Sequence, residues 1–102
     1  MSAYRIEHCK KAAEFFIKFN TGSKAYLQYQ NDASNRVLDF THTVTPKDQQ
    51  GKGIAKILVK EGLKYASENN YSVKPTCWYV AKYLDSDGAT EEEKKLDVRH
   101  KL

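Results

Sequence analysis

Alternation with a period of two dominates the first half of the chain. Residues 13–19 carry Phe15, Phe16, Ile17 and Phe19, and Asn20-Thr21-Gly22-Ser23 then breaks the run with turn formers. In residues 24–30, Ala25, Leu27 and Tyr29 share one face, and residues 31–35 form a polar turn. Residues 37–44 set Leu38, Phe40, His42 and Val44 against Asp39, Thr41 and Thr43. A short strand within residues 4–8 precedes these three. Connections this short predict an antiparallel meander.

The period changes after Pro46. Ile54, Ala55, Leu58, Val59, Leu63 and Ala66 recur every three or four residues, with Gly62 on the same stripe. This predicts one long amphipathic helix from Gly53 to the Asn69-Asn70 pair, with Asn70 as its cap. Residues 71–79 read as a further strand, with Pro75 marking an edge or a bulge because proline cannot donate to a ladder. Residues 80–84 open a short helix. Residues 85–102 are charged, with Ala89, Leu96, Val98 and Leu102 as their apolar positions, and read as a peripheral C-terminal segment, a short helix or a frayed end. The chain shows no internal repeat. The fold class expected is α+β: a mainly antiparallel sheet of about five or six strands, one long helix packed on it and a short C-terminal helix.

Composition narrows the function classes. With 102 residues, 40% of them hydrophobic and 29% charged, the chain has the content of one folded domain and is too apolar for disorder. The net charge is +4, and residues 52–82 hold six lysines against two glutamates. That local cationic patch points to an anionic ligand, and an excess of this size is too weak to argue for nucleic acid. Exposed Tyr and Phe interleaved with Lys could stack bases, but Phe15, Ile17, Leu27 and Phe40 read better as core. Cys9 and Cys77 lie far apart without metal-ligand spacing, and no signal peptide or apolar run of membrane-spanning length is present. Reduced thiols and an intracellular place, cytoplasm or nucleus, are expected, with no membrane partner and no metal.

The most informative stretch runs Val44-Thr45-Pro46-Lys47-Asp48-Gln49-Gln50-Gly51-Lys52-Gly53-Ile54-Ala55: a strand stops, a loop carries two glycines, and a helix begins. Successive N–H groups at a helix start, with the positive end of its dipole, suit phosphate oxygens, above all a pyrophosphate. The pattern is neither a Walker A loop nor the three-glycine dinucleotide fingerprint. A tight strand-to-helix turn with no ligand explains the two glycines equally well. Lys52, Lys56, Lys60 and Lys64 recur every fourth residue along one helix face, either solvated or compensated by anions; Lys52 and Lys56 stand at the phosphate end.

Gln50-Gly51-Lys52-Gly53-Ile54-Ala55 resembles the Gln/Arg-x-x-Gly-x-Gly/Ala motif of the GNAT superfamily of acetyl-CoA-dependent N-acetyltransferases. Together with His42-Thr43-x-x-Pro46 and Cys77-x-Tyr79-Val80, over residues 13–84, the chain is similar to a small single-domain group within it. The resemblance implies a compact GNAT-like fold and acetyl-CoA as co-substrate. Backbone amides from Gln50 through Gly51, Lys52, Gly53 and Ile54 to Ala55 would hold the pyrophosphate, with Lys56 beside them. The strand ending at His42-Thr43-Val44 would pair with the pantetheine arm, and a splay between it and the strand carrying Thr76 and Cys77 would admit the cofactor. The two helices that usually follow the first strand are missing or reduced, which implies an open site suited to a protein or peptide amine.

Acetyl transfer needs a neutral amine, a polarised thioester and a proton for the departing thiolate. Cys77, Tyr79 and Tyr83 are the candidate acids, expected on or just beyond the last strand. Cys77 is alternatively an acetyl-accepting nucleophile, or a small buried hydrophobe. His42 is a candidate base for the amine, or a core residue hydrogen-bonded on an apolar face. The expected function is N-acetyl transfer to a primary amine in a ternary complex; the alternative is a non-catalytic acyl-CoA-binding or interaction module.

Overall fold

The computed structural model describes residues 4–101. Five strands, β1 (Glu7–Cys9), β2 (Glu14–Lys18), β3 (Lys24–Asp32), β4 (Val37–Val44) and β5 (Ser72–Lys74), form one sheet in chain order. The first four pair antiparallel, as the short turns require, and β5 pairs parallel to β4. That parallel step needs a crossover, supplied by α1 (Ile54–Glu68). α2 (Trp78–Asp85) and α3 (Glu91–Leu96) follow.

One face of the sheet is the core. Phe15, Ile17, Leu27, Leu38 and Phe40 are at most 2% exposed and meet the α1 stripe of Ile54, Leu58, Val59, Leu63 and Ala66. Each such large side chain contributes roughly 1.5–3 kcal/mol on burial. Gly62 lies where α1 comes closest to the sheet: a Cβ there would stand 2.8 Å from Leu27 Cδ2 and 2.9 Å from Phe40 Cζ. α1 ends with Asn69 as cap and Asn70 left-handed at φ 60°, and the Tyr71 amide donates back to the Ala66 carbonyl at 2.9 Å. That closes the last turn as a glycine would.

Two sequence expectations are corrected. The strand expected over 71–79 is three residues long, because Pro75 cannot donate and the Thr76 amide folds back to the Lys74 carbonyl at 3.1 Å. Cys77 therefore lies at the N-cap of α2 rather than on a strand, and Tyr79 and Tyr83 are helical. The second correction is in β4. Gln28 pairs with His42 and Tyr29 with Phe40, so Thr41 is an extra residue, a β-bulge, with its hydroxyl on the Gln28 carbonyl at 3.2 Å. Alternation restarts out of phase, turning His42 and Val44 outward to solvent and Thr43 inward beside Leu27. His42 is thus no core histidine.

The expected charged C-terminal segment folds back onto the sheet. Thr90 and Glu93 form a reciprocal capping box that starts α3, a Thr-x-x-Glu signal overlooked in the sequence. Asp97 is fully buried, bridges β5 at Val73 and receives a bidentate Arg99, which also holds Asp85. Leu102 lies outside the described residues. No helix among the described residues is long and apolar enough to cross a membrane, and no metal-ligating cluster occurs among them.

Candidate active site

β4 and β5 pair only as far as Asp39 opposite Lys74. Beyond it the Cys77 amide donates to the Phe40 carbonyl at 2.8 Å, and the chain then turns away into α2. Residues 41–44 of β4 are left without a ladder partner on that side. A wedge opens there between β4 and the start of α2.

At the far end of the wedge lies the glycine loop. A single 3-10 turn (Lys47–Gln49) leads into it, and Gly51 and Gly53 adopt φ 81° and 73°, a region that L side chains enter at a cost of about 1–2 kcal/mol. Gly53 is the N-cap of α1, no side chain caps the helix, and its first turn carries no acid. The free N–H groups therefore face a cavity of about 230 Å³ walled by Thr45, Gln49, the two glycines and Tyr79. Open amides at a positive helix end fit a pyrophosphate by charge and by donor chemistry.

Tyr79 joins this cavity to a second, of about 280 Å³, lined also by Lys56, Lys82, Tyr83 and Ser86. Two cations thus stand next to the glycine cradle. Burial raises the Tyr79 phenol above its usual pKa, so it remains protonated at neutral pH. The lysine row divides by partner. Lys52 donates to Gln49 Oε1 at 3.0 Å, Lys56 lines the second cavity, and Lys60 meets the Tyr83 hydroxyl at 3.0 Å and Glu93 at 3.4 Å.

The candidate acids separate in space. Cys77 sits at the wedge with its Sγ 3.5 Å from Thr43 Oγ1. Burial would push its thiol up, but the Thr43 hydroxyl and the amides of Val80, Tyr79 and Thr43 outweigh that and hold its pKa below the ordinary value. Tyr79 stands at the cradle. Tyr83 is 7% exposed and donates to Glu93 Oε1 at 2.7 Å, tied into the contact between α1, α2 and α3. His42 and Val44 lie on the opposite face of β4 from Thr43.

Sequence reading overlooked Asp39. It is half-buried on the outer face, at the last paired position before the wedge, and its Oδ1 is buried without a hydrogen-bond partner, alone in this among the buried side-chain oxygens and nitrogens of the described residues. A desolvated oxygen of this kind costs free energy unless something donates to it. Its only sequence signal is being the one acidic residue in β4, whose other positions are apolar, hydroxyl-bearing or His42.

The sheet thus parts at its crossover beside an uncapped, glycine-rich helix start. The family model of the GCN5-related N-acetyltransferases matches residues 14–93, and the chain belongs to that family. Among curated proteins it is similar to Protein NATD1 of human, 35% identical over 81 residues spanning 78% of this chain and 71% of that protein. It is as similar to the zebrafish Protein NATD1, again 35% identical over 81 residues, with 73% of that protein covered. The solution NMR structure of a GCN5-like protein from Staphylococcus aureus shares the fold at a TM-score of 0.70 and 21% identity, over 95% of this chain and 90% of that one. The chain is therefore a NATD1-like member of a family of acetyltransferases that generally take acetyl-CoA as co-substrate.

Proposed function

We propose that this protein transfers the acetyl group of acetyl-CoA to a primary amine of a protein or peptide by direct attack in a ternary complex. The observation that carries the reading is the uncapped glycine cradle, walled by Thr45 just past the end of β4 and by Tyr79 in the first turn of α2, the helix that Cys77 caps. Backbone amides from Gln50 to Ala55 hold the pyrophosphate, Lys52, Lys56 and Lys82 supply positive charge around it, and the free edge of β4 through Thr43 and Val44 binds the extended arm. Acetyl-CoA supplies an activated thioester. Juxtaposing it with the amine provides much of the acceleration.

Asp39, on the strand that leads into the wedge, accepts the proton that an arriving ammonium must lose. As the carbon–nitrogen bond forms and the carbon–sulfur bond breaks, Cys77 gives a proton to the departing sulfur, assisted by Thr43, and recovers one from the attacking nitrogen, which sheds its second proton to become a neutral amide. A cysteine thiol and the leaving thiol are of the same chemical type, so this transfer is close to balanced. Tyr79, which walls the cradle, is the second proton donor, and exposed His42 lies on the same outer face as Asp39. The outer face supports a peptide acceptor: Phe16, Tyr26 and Val44 pair across three strands in one row and are half-buried or exposed. Tyr83 already donates to Glu93, which favours binding with weak turnover as the second reading.

Calorimetric titration with acetyl-CoA tests the cradle, and acetylation of a panel of lysine peptides and polyamines separates enzyme from binding module. Cys77→Ala and Asp39→Asn are each expected to lower kcat at least tenfold with acetyl-CoA affinity retained. Wild-type turnover in both would refute their roles, and an acetyl adduct on Cys77 by intact mass would replace direct attack with a covalent route.

A further inference from the structure

The cradle is tied to a turn far away in sequence. Asp48 is exposed, yet its Oδ2 receives Thr21 Oγ1 at 2.8 Å, Ser23 Oγ at 3.0 Å and Gln49 Nε2 at 3.1 Å. The Thr21 and Ser23 hydroxyl oxygens lie 2.9 Å apart in the turn between β2 and β3. Water satisfies an exposed carboxylate without help, so the convergence of three protein donors on one oxygen is a positional device. The second half of the device is Gln49, 8% exposed and one of two buried polar residues among those described. Its amide nitrogen faces the Asp48 carboxylate and its oxygen accepts from Lys52 Nζ at 3.0 Å. The flipped amide would set oxygen against carboxylate and NH₂ against ammonium, so the two charges fix its orientation.

Lys52 stands between the two left-handed glycines, and Gln49 walls the cradle cavity. We infer that Asp48 is a positioning residue for coenzyme A binding, acting through Gln49 on Lys52 and on the glycine loop. Its own negative charge opposes a pyrophosphate nearby, so a favourable contribution comes only from the geometry it imposes. The chain of contacts runs from the turn hydroxyls to the carboxylate, through the amide, to the ammonium. It rests on the reading of the glycine loop as the coenzyme A cradle.

A double-mutant cycle on coenzyme A binding by calorimetry tests it, using Asp48→Asn, Lys52→Met and the double variant, with thermal melts as a check on folding. Asp48→Asn removes the charge at constant shape, and Asp48→Ala serves as a second variant. Asp48→Asn is expected to weaken binding about fivefold despite removing a repulsive charge, and the double variant to bind no worse than Lys52→Met within twofold. Asp48 variants that bind as well as or better than wild type would overturn the inference, as would losses that multiply independently in the double variant. A wild-type protein that binds no coenzyme A would instead refute the cradle reading, and the inference with it.

Discussion

The Thr43 hydroxyl meets the Cys77 thiol at 3.5 Å across the wedge that opens where β5 ends, three residues before the cysteine. Neither residue belongs to the ladder there, and each is placed by something else: Thr43 by the bulge at Thr41, Cys77 by its amide bond to the Phe40 carbonyl. The hydroxyl favours the thiolate, so Thr43→Val should raise the Cys77 pKa. Alkylation of Cys77 by iodoacetamide, followed against pH in a Cys9→Ser background, should show its midpoint move upward and its rate at pH 7.5 fall several-fold. An unmoved midpoint would remove Thr43 from any role in tuning the thiol.

Gly53→Ala should cost about 1–2 kcal/mol of stability, read by urea denaturation, because φ 73° is a left-handed conformation. No atom lies within 4 Å of the added methyl, so the cost is conformational rather than steric. The same methyl would occupy part of the cradle. Coenzyme A affinity is expected to fall by more than the stability loss alone brings, and a variant that bound normally would contradict phosphate placement at this helix start.

His8 should make stability depend on mild acid. Its ring stacks on Phe15 at 4.1 Å, meets Tyr65 edge-on at 4.6 Å and contacts the Tyr29 hydroxyl at 2.6 Å; burial first, then nearby Lys10, lowers its pKa below 6.5. Tyr29, pushed up to about 12, stays protonated throughout, so it donates to the neutral imidazole. The unfolded chain takes the proton first, so stability is complete above pH 6.5 and declines as pH falls below it. Denaturant midpoints from pH 8 to pH 5 should show this decline in wild type and a flatter profile in His8→Phe.

Arg99→Met should destabilise the fold by roughly 1–3 kcal/mol, since it leaves the buried Asp97 carboxylate without its bidentate partner, tempered by the partial exposure of Arg99. Burial pushes the Asp97 pKa up, but the Arg99 hydrogen bonds outweigh it and hold it below the usual carboxylate value. The pair therefore stabilises fully above about pH 4 and is lost as pH falls through the depressed pKa. In Arg99→Met the acid transition should begin at higher pH.

Elements marked by strong local signals were legible in the sequence. β4 and the long helix follow from the periods two and 3.6, and the tight turn between them from Gly51 and Gly53. What escaped depended on pairing across distance. The bulge at Thr41 exists only relative to β3, so alternation placed His42 inward when it faces solvent. Cys77 looked like a strand residue because Tyr71, Val73 and Tyr79 have strand character, while Pro75 and the turn at Thr76 end the ladder early. Asp39 and Asp48 carry no motif at all; an oxygen without a donor in one case and three donors on one oxygen in the other are properties of the assembled chain.

The bulge also acts as a frame shift written in backbone rather than in codons. A strand has only two faces, so one inserted residue transposes everything after it, and one deleted residue restores the original phase. Removing Thr41 would exchange the places of the histidine and the threonine that follow, carrying the imidazole into the core and the hydroxyl out to water. A substitution at that position touches one side chain, whereas a deletion rewrites which half of the strand addresses the cysteine. Length at this point of β4, more than residue identity, is what tolerance to insertion and deletion in this protein should reveal.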